Sequence, residues 1–529
     1  MKLCPECRKN YIDETLNFCL DDGSSLIELS PPTGEAATAI LSGQSDGHVT
    51  EVLPSTSLAE PTQGNSIAVL PFVNMSADAD NEYFCDGLAE ELLNALAKID
   101  DLKVAARTAS FSFRGKNQSM ADIGGALNVK SILEGSVRKA GNRVRITVQL
   151  INAVDGYHLW SERYDRDMED IFEVQDEITL AVVDALKVKL LAPEKQAMLK
   201  RHTNDAEAYQ LYLRGRHFFY KRTPEGFRKA IECFEKAIEL DSDYALAISG
   251  LADSYVFLGF YEMASPAEAS AKLRPLIERA IAIDENSSET NTSRALLITL
   301  YDWQHRQSLK YYEAAVAADP RYAFAYHLKS AVCAVLGEHE QAIAEEKKAI
   351  EIDPFTPVFN ASLAWWYYIA GRNEDAIAQA DKTIDFAPNH FFAHWVKGLT
   401  FAQQGSYPEA IVSLQNAVSM NQFEDSVRGD LGRVLAMAGE REEAIGILDD
   451  FRAKGSGSYI SPANFAKVYV GLGEYDEAFK QLEKAVSERA VKLPWFLVDP
   501  CLTPMRSDPR FADLLTRTGL PQIAMSVNV

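Results

Sequence analysis

The phrase "KKAIEIDP", Lys347–Pro354, recurs with variation along the second half of the chain, and its spacing constrains the fold more than any other feature. Related phrases end at Asp241 ("EKAIELD"), Asp284 ("ERAIAID"), Pro320 ("EAAVAADP") and Asn421 ("QNAVSMN"). Aligned on one position, the copies give Ala237, Ala280, Ala315, Ala349, Thr383, Ala417, Phe451 and Ala485, with steps of 43, 35, 34, 34, 34, 34 and 34 residues. Other small residues keep the phase. Ala342, Ala376 and Ala410 lie seven residues before the anchor, and Ala364, Gly398 and Gly432 lie in the preceding helical stretch. Small residues at fixed positions let two helices approach closely. Pro320, Pro354 and Pro388 follow the anchor by five residues. They end the second helix, because proline has no N–H and restricts the residue before it. One such pair cannot bury its apolar face, so successive pairs must stack on a shared core. About eight units are expected over 204–490, with the first stretched at "KRTPEG" and the second longer by nine residues. Phe451 breaks the small-residue rule and demands a local change in packing.

A sustained 34-residue period with these landmarks resembles the tetratricopeptide repeat. The resemblance implies an all-α solenoid whose first helices line a concave side. By that pattern the inward positions include Phe324, His327, Trp365, Tyr368, Phe392, Trp395, Leu399 and Arg433. Aromatics and Arg dominate binding hot spots, so the expected partner is a peptide or protein in this groove. The same stripe also fits plain packing between neighbouring helices. In "VDPCLTPMRSDPRFADLLTRTGL", Asp508 can cap a further helix with Pro509 at its first position. Residues 491–529 are therefore expected to cap the stack.

Residues 66–191 alternate strand and helix patterns. "SIAVLPF" is a short apolar run suited to a buried strand, and "LKVAA" suggests another. Leu88, Leu92, Leu93, Leu96 and Ile99 fall on one helical face. Val144, Ile146, Val148 and Leu150 alternate with Arg143, Arg145, Thr147 and Gln149, the mark of a half-buried strand. Hairpin signals at Gly141-Asn142 and Asp155-Gly156 predict a three-stranded antiparallel meander over about 130–164, followed by a helix carrying Ile171, Val174, Ile178 and Val182. Arg138, Lys139, Arg143 and Arg145 read as a solvated strand face, and Cys85 as a core thiol. The stretches "SIAVLPFVNMS", "EYFCDGLAEEL", "ARTASFSFRGK" and "ILEGSVRKAGNRVRITVQLINAVDGYHLWSERYDRD" resemble the TolB N-terminal-like domain that precedes tetratricopeptide repeats in many bacterial signalling proteins. That resemblance implies a setting beside a nucleotide cyclase, a protein kinase or a winged-helix module, none of which is visible here.

The chain begins with Cys4-x-x-Cys7 and Cys19-x-x-Asp22. Two turns that each present two ligands can close a tetrahedral site. The segment resembles a zinc ribbon, with Asp22 where a fourth Cys is usual, so structural zinc at Cys4, Cys7, Cys19 and Asp22 is expected over residues 1–26. Ser, Thr, Gly and Pro dominate 27–65, which reads as a flexible linker.

The formal charge of −23 argues against broad nucleic-acid contact and against an anionic membrane surface. No apolar run reaches about 18 residues, and the first residues lack a signal-peptide core. Scattered cysteines outside the head suit a reducing, cytoplasmic setting. Phosphate loops, G-x-S-x-G, kinase motifs and H-E-x-x-H are absent, so no enzyme is expected. His390 and His394 share i, i+4 spacing but lack a third ligand. The sequence therefore predicts a multidomain chain: a small zinc-ribbon-like head, an α/β mixed-sheet domain, then an all-α solenoid that acts as a signalling scaffold. The alternatives are a regulatory component of a cyclase or kinase system, and a transcription-associated regulator acting through the head.

Overall fold

The computed structural model describes residues 2–3, 10–11, 27–28, 65–116, 118–199, 201–455 and 459–522. Two units separate, residues 1–60 and 61–529. In the first, β1 (Lys2–Leu3) pairs antiparallel with β2 (Asn10–Tyr11) and with β3 (Ile27–Glu28). Strand β3 thus lies in the stretch read as linker. Cys4, Cys7, Cys19 and Asp22 fall outside the described residues.

The second unit opens with the mixed sheet. Its strands are β4 (Asn65–Val69), β5 (Val73–Asn74), β6 (Leu102–Val104), β7 (Ser131–Ala140), β8 (Arg143–Asn152) and β9 (His158–Asp167), in the order β6-β4-β7-β8-β9, with β5 beside β7. Strand β4 is parallel to both β6 and β7, and β7, β8 and β9 form the antiparallel meander. A strand flanked on both sides is buried on both faces, which is why β4 reads as an unbroken apolar run. Helices α1 (Glu82–Leu96) and α4 (Ile171–Ala185) pack on one face, while α3 (Met120–Leu127) covers Ala68 and Ile132 on the other. The short α2 (Arg107–Phe111) lies between β6 and α3 in the chain, and α5 (Ala192–Met198) leads out of the sheet domain. Arg143 and Arg145 point to solvent and both donate to Asp165 of β9. Cys85 is buried, and burial pushes its thiol up to about 12.

Eight antiparallel helix pairs follow among the described residues. Repeat 1 is α6 (Ala206–Tyr220) with α7 (Pro224–Leu240). Repeat 2 is α8 (Ala245–Phe260) with α9 (Pro266–Ile283), and repeat 3 is α10 (Ser288–Leu297) with α11 (His305–Ala318). Repeat 4 is α12 (Ala323–Val335) with α13 (His339–Ile352), and repeat 5 is α14 (Pro357–Ile369) with α15 (Asn373–Phe386). Repeat 6 is α16 (Phe391–Gln403) with α17 (Tyr407–Met420), repeat 7 is α18 (Asp425–Ala438) with α19 (Arg441–Lys454), and repeat 8 is α20 (Pro462–Leu472) with α21 (Tyr475–Ser487). All eight anchor residues are buried. The sheet domain shares one apolar core with repeat 1 and the start of repeat 2 rather than hanging as a separate bead. Gly87 of α1 lies so close to α6 that a Cβ there would sit 2.6 Å from Leu213 Cδ1.

The turns inside the repeats carry a further 34-residue period. Gly337, Gly371, Gly405, Gly439 and Gly473 occupy the turn inside each of repeats 4 to 8, all with positive φ. Glycine adopts that backbone without steric cost. Repeats 1 to 3 place Arg222, Glu262 and Trp303 in the same left-handed conformation.

Phe451 is accommodated by a shift of partners. Its ring packs edge-on to Phe465 at 5.4 Å, and α18 and α20 meet directly instead of through α19. The close approach runs through glycines: a Cβ on Gly471 would lie 2.3 Å from Arg433 O, and one on Gly432 would lie 2.8 Å from Val468 Cγ2.

The array curls far enough for its ends to touch. Asn464 Nδ2 of repeat 8 donates to Glu262 Oε2 of repeat 2 at 2.7 Å. Arg489 donates to Tyr301 O at 3.2 Å, and His305 Nε2 meets Thr518 O at 3.1 Å. Beyond repeat 8, α22 (Leu493–Val498), a 3₁₀ turn (Pro500–Met505) and α23 (Pro509–Arg517) complete the chain's described part. Asp508 caps α23 by accepting from Arg510 N at 2.9 Å, with Pro509 in the first turn.

Candidate functional site

The concave face is not an open groove, because the chain's own tail crosses it. Trp495 Nε1 donates to Ala331 O of α12 at 3.3 Å, and Asp499 accepts from the Tyr368 hydroxyl of α14 at 2.7 Å. Phe496 lies 5.4 Å beneath the Lys467 ammonium of α20. Trp495, Phe496, Leu497, Val498, Leu502 and Met505 are all buried there.

This placement corrects three of the expected partner-binding residues. Tyr368, Trp395 and Arg433 are 1, 7 and 3% exposed and belong to the interior. Trp395 Nε1 and Lys467 Nζ both donate to Asp430 Oδ2, at 3.0 and 2.8 Å, and Arg433 Nε reaches Asp430 Oδ1 at 3.4 Å. Trp365 and Phe392 are half-buried and join Trp395 in one aromatic cluster, with ring centroids 5.4 to 6.1 Å apart. His327 sits against the buried Glu346 carboxylate at 3.0 Å, which also accepts from Trp366 Nε1 at 3.0 Å. His390 and His394 form no metal site: His394 Nε2 meets Pro388 O, and no group of three ligating side chains occurs among the described residues. Leu399 is buried as well, and of the eight inward residues Phe324 is the one that lines the large cleft described next.

That opening is a cleft of about 1440 Å³ between the sheet domain and the leading ends of α8, α10 and α12. Its floor is an ionic network at the α1–α6 contact. Glu90 accepts from Arg107 Nε at 2.8 Å and from Arg216 at 2.7 Å, and the Tyr220 hydroxyl lies 3.2 Å away. The Arg107 guanidinium stacks 4.0 Å above the Tyr220 ring. Burial pushes the Glu90 carboxyl up, but Arg216 and Arg107 outweigh it and hold the group below its ordinary range. Glu91, next on α1, feels Arg216 and Lys98 too weakly to offset its burial. Burial, then the charge of Glu90, push it up to about 7. Asp253 of α8 is pushed up to about 6 by burial, against the pull of Arg216 and Arg222. Tyr322 and Phe324, at the start of α12, complete the wall with Glu289 of α10. Nothing local in the sequence marks Glu91, Asp253, Glu289 or Tyr322, since each faces the cleft only because the sheet domain docks on repeat 1.

The HilA/YgeH-like transcriptional regulator second domain matches residues 63–181, which hold the whole mixed sheet. Tetratricopeptide repeats match residues 304–357 and 362–424, and again 227–244 and 463–490. A protein of Rhizobium meliloti (strain 1021) provisionally named adenylate cyclase 3 is 39% identical over 246 residues, 46% of this chain and 41% of that protein. The transcriptional regulator HilA of Salmonella typhimurium is 21% identical over 34% of this chain and 32% of its own length. Among solved structures, a thermophilic tetratricopeptide-repeat protein of Thermus thermophilus is 21% identical with a TM-score of 0.31, covering 35% of this chain and 94% of that one. The chain spans less than half the length of the curated relatives it matches. The helical array is thus built of tetratricopeptide repeats, and a mixed-sheet domain precedes it.

Proposed function

We propose that the protein is a non-catalytic scaffold that holds a segment of a partner protein in the cleft between its sheet domain and the leading ends of repeats 2 to 5. The cleft carries this reading. Its volume of about 1440 Å³ exceeds the ~300–1,000 Å³ usual for small-molecule pockets. The concave face, the site expected from sequence, is the weaker candidate because the tail fills it. Among the described residues no helix is long and apolar enough to cross a membrane. Cys85, Cys233, Cys333 and Cys501 are free, which supports a reducing, cytoplasmic setting. The sheet domain is read as a TolB N-terminal-like accessory module, and the head as a structural zinc site on its Cys4, Cys7, Cys19 and Asp22 spacing.

A second reading has its own support: the 39% identity to the Rhizobium meliloti protein favours a regulatory part of a cyclase system. In that case the chain acts by docking to a catalytic partner. The test places a photo-crosslinking amino acid at Ser249 in the cleft or at exposed Glu442 on α19, in the native host. One defined protein captured from Ser249 and not from Glu442 is the expected result. Equal capture at both positions, or cyclase or kinase turnover by the purified full chain, refutes the scaffold reading.

A further inference from the structure

The charge on the cleft wall is lopsided. Ten carboxylates line it, against five Lys and Arg. The three arginines are already engaged. Arg201 donates to Asp176 at 2.9 Å and Glu173 at 3.3 Å, Arg216 to Glu90 at 2.7 Å, and Arg321 to Leu102 O at 3.3 Å. Among the described residues Glu91, Asp253, Glu289 and Glu351 form no ion pair. A further polar group on the wall, Thr292 Oγ1, is more than nine-tenths buried and lacks a hydrogen-bond partner among the described residues. Asp253, Glu289 and the aromatic Tyr322 line the same wall of the cleft.

Carboxylates next to an aromatic face form the environment that receives a Lys ammonium or an Arg guanidinium. The carboxylates supply charge-assisted hydrogen bonds and the ring supplies a cation–π contact. The same surplus repels a polyanion. We infer that the cleft receives an extended basic segment of a partner protein, with its Lys or Arg side chains held by Asp253 and Glu289 on the wall they share with Tyr322. The inference rests on the scaffold reading above and names the chemistry of the partner.

The test uses the full chain and three labelled octapeptides, alternating Arg–Ala, Gln–Ala and Glu–Ala, followed by fluorescence anisotropy. The Arg–Ala peptide is expected to bind and the Glu–Ala peptide is not. Asp253→Asn with Glu289→Gln should weaken Arg–Ala binding about tenfold or more, the scale of two lost charge-assisted contacts. Glu442→Gln with Glu443→Gln removes the same charge from the exposed α19 and should change binding by less than about twofold. Equal weakening by both pairs would mean diffuse attraction to an acidic protein and overturns the inference. Ser249→Trp, which narrows the cleft, separates this failure from that of the scaffold reading. If a Gln–Ala or Glu–Ala peptide binds and Ser249→Trp abolishes it, the cleft is a docking site and the basic specificity is wrong. If no peptide binding responds to Ser249→Trp, both fail.

Discussion

Replacing Trp495 by Ala asks whether the tail is part of the fold or a loose occupant of the concave face. The indole is 7% exposed, and its Nε1 donates to Ala331 O at 3.3 Å. Truncating a buried Trp to Ala costs about 3–5 kcal/mol, as transfer energy and cavity together. With a urea slope of about 3 kcal/mol/M, that predicts a midpoint lower by about 1 M. The assay is urea unfolding of the full chain followed by circular dichroism at 222 nm, which does not depend on the removed indole. Phe423→Ala is the control, because Phe423 is 48% exposed and should move the midpoint by no more than about 0.2 M. A Trp495→Ala midpoint that matches the control would refute the reasoning. The tail would then be a dispensable occupant, and Tyr368, Trp395 and Arg433 would again be candidates for contact with a partner.

Three further outcomes are expected. Tyr368→Phe strips the buried Asp499 carboxylate of its hydroxyl partner and should cost about 1–3 kcal/mol, read from the same urea transition. Burial pushes the Glu262 carboxyl up to about 7, so the folded state binds its proton more tightly than the unfolded chain. Stability then falls as pH rises from the ordinary carboxylate range through 7. Glu262→Gln should therefore raise the melting temperature at pH 8.5, and do so much less at pH 5; an equal effect at both would show that this group does not titrate in the fold. For the head, about one zinc per chain is expected by metal analysis, with loss of the metal in Cys19→Ser; metal-free protein as purified would end the zinc assignment.

The resemblance to tetratricopeptide repeats was legible because the period is long and its landmarks have local causes. The prolines at 320, 354 and 388 stop helices in any context, and the anchor alanines need only a neighbouring helix to be explained. The β7–β8–β9 meander was legible for the same reason: alternation within one strand and turn residues beside it are local signals. The turn glycines from Gly337 to Gly473 carried an equally clear period.

The site was not legible. An inward position on a first helix says that a side chain faces the axis of the superhelix, not what else lies there. Tyr368, Trp395 and Arg433 are interior, Tyr368 because its hydroxyl meets Asp499 of a tail 131 residues further along and Trp395 because Asp430 and Lys467 of neighbouring repeats close over it. By itself the sequence determined the repeating unit and its two helices, since those follow from contacts between residues close in the chain. The tertiary structure decided which surfaces stay open: α1 docked on α6, repeat 2 met repeat 8, and the cleft lined by Asp253 and Glu289 formed where neither contact closed it. Such contacts join residues more than a hundred positions apart, and no local periodicity encodes a pairing at that distance.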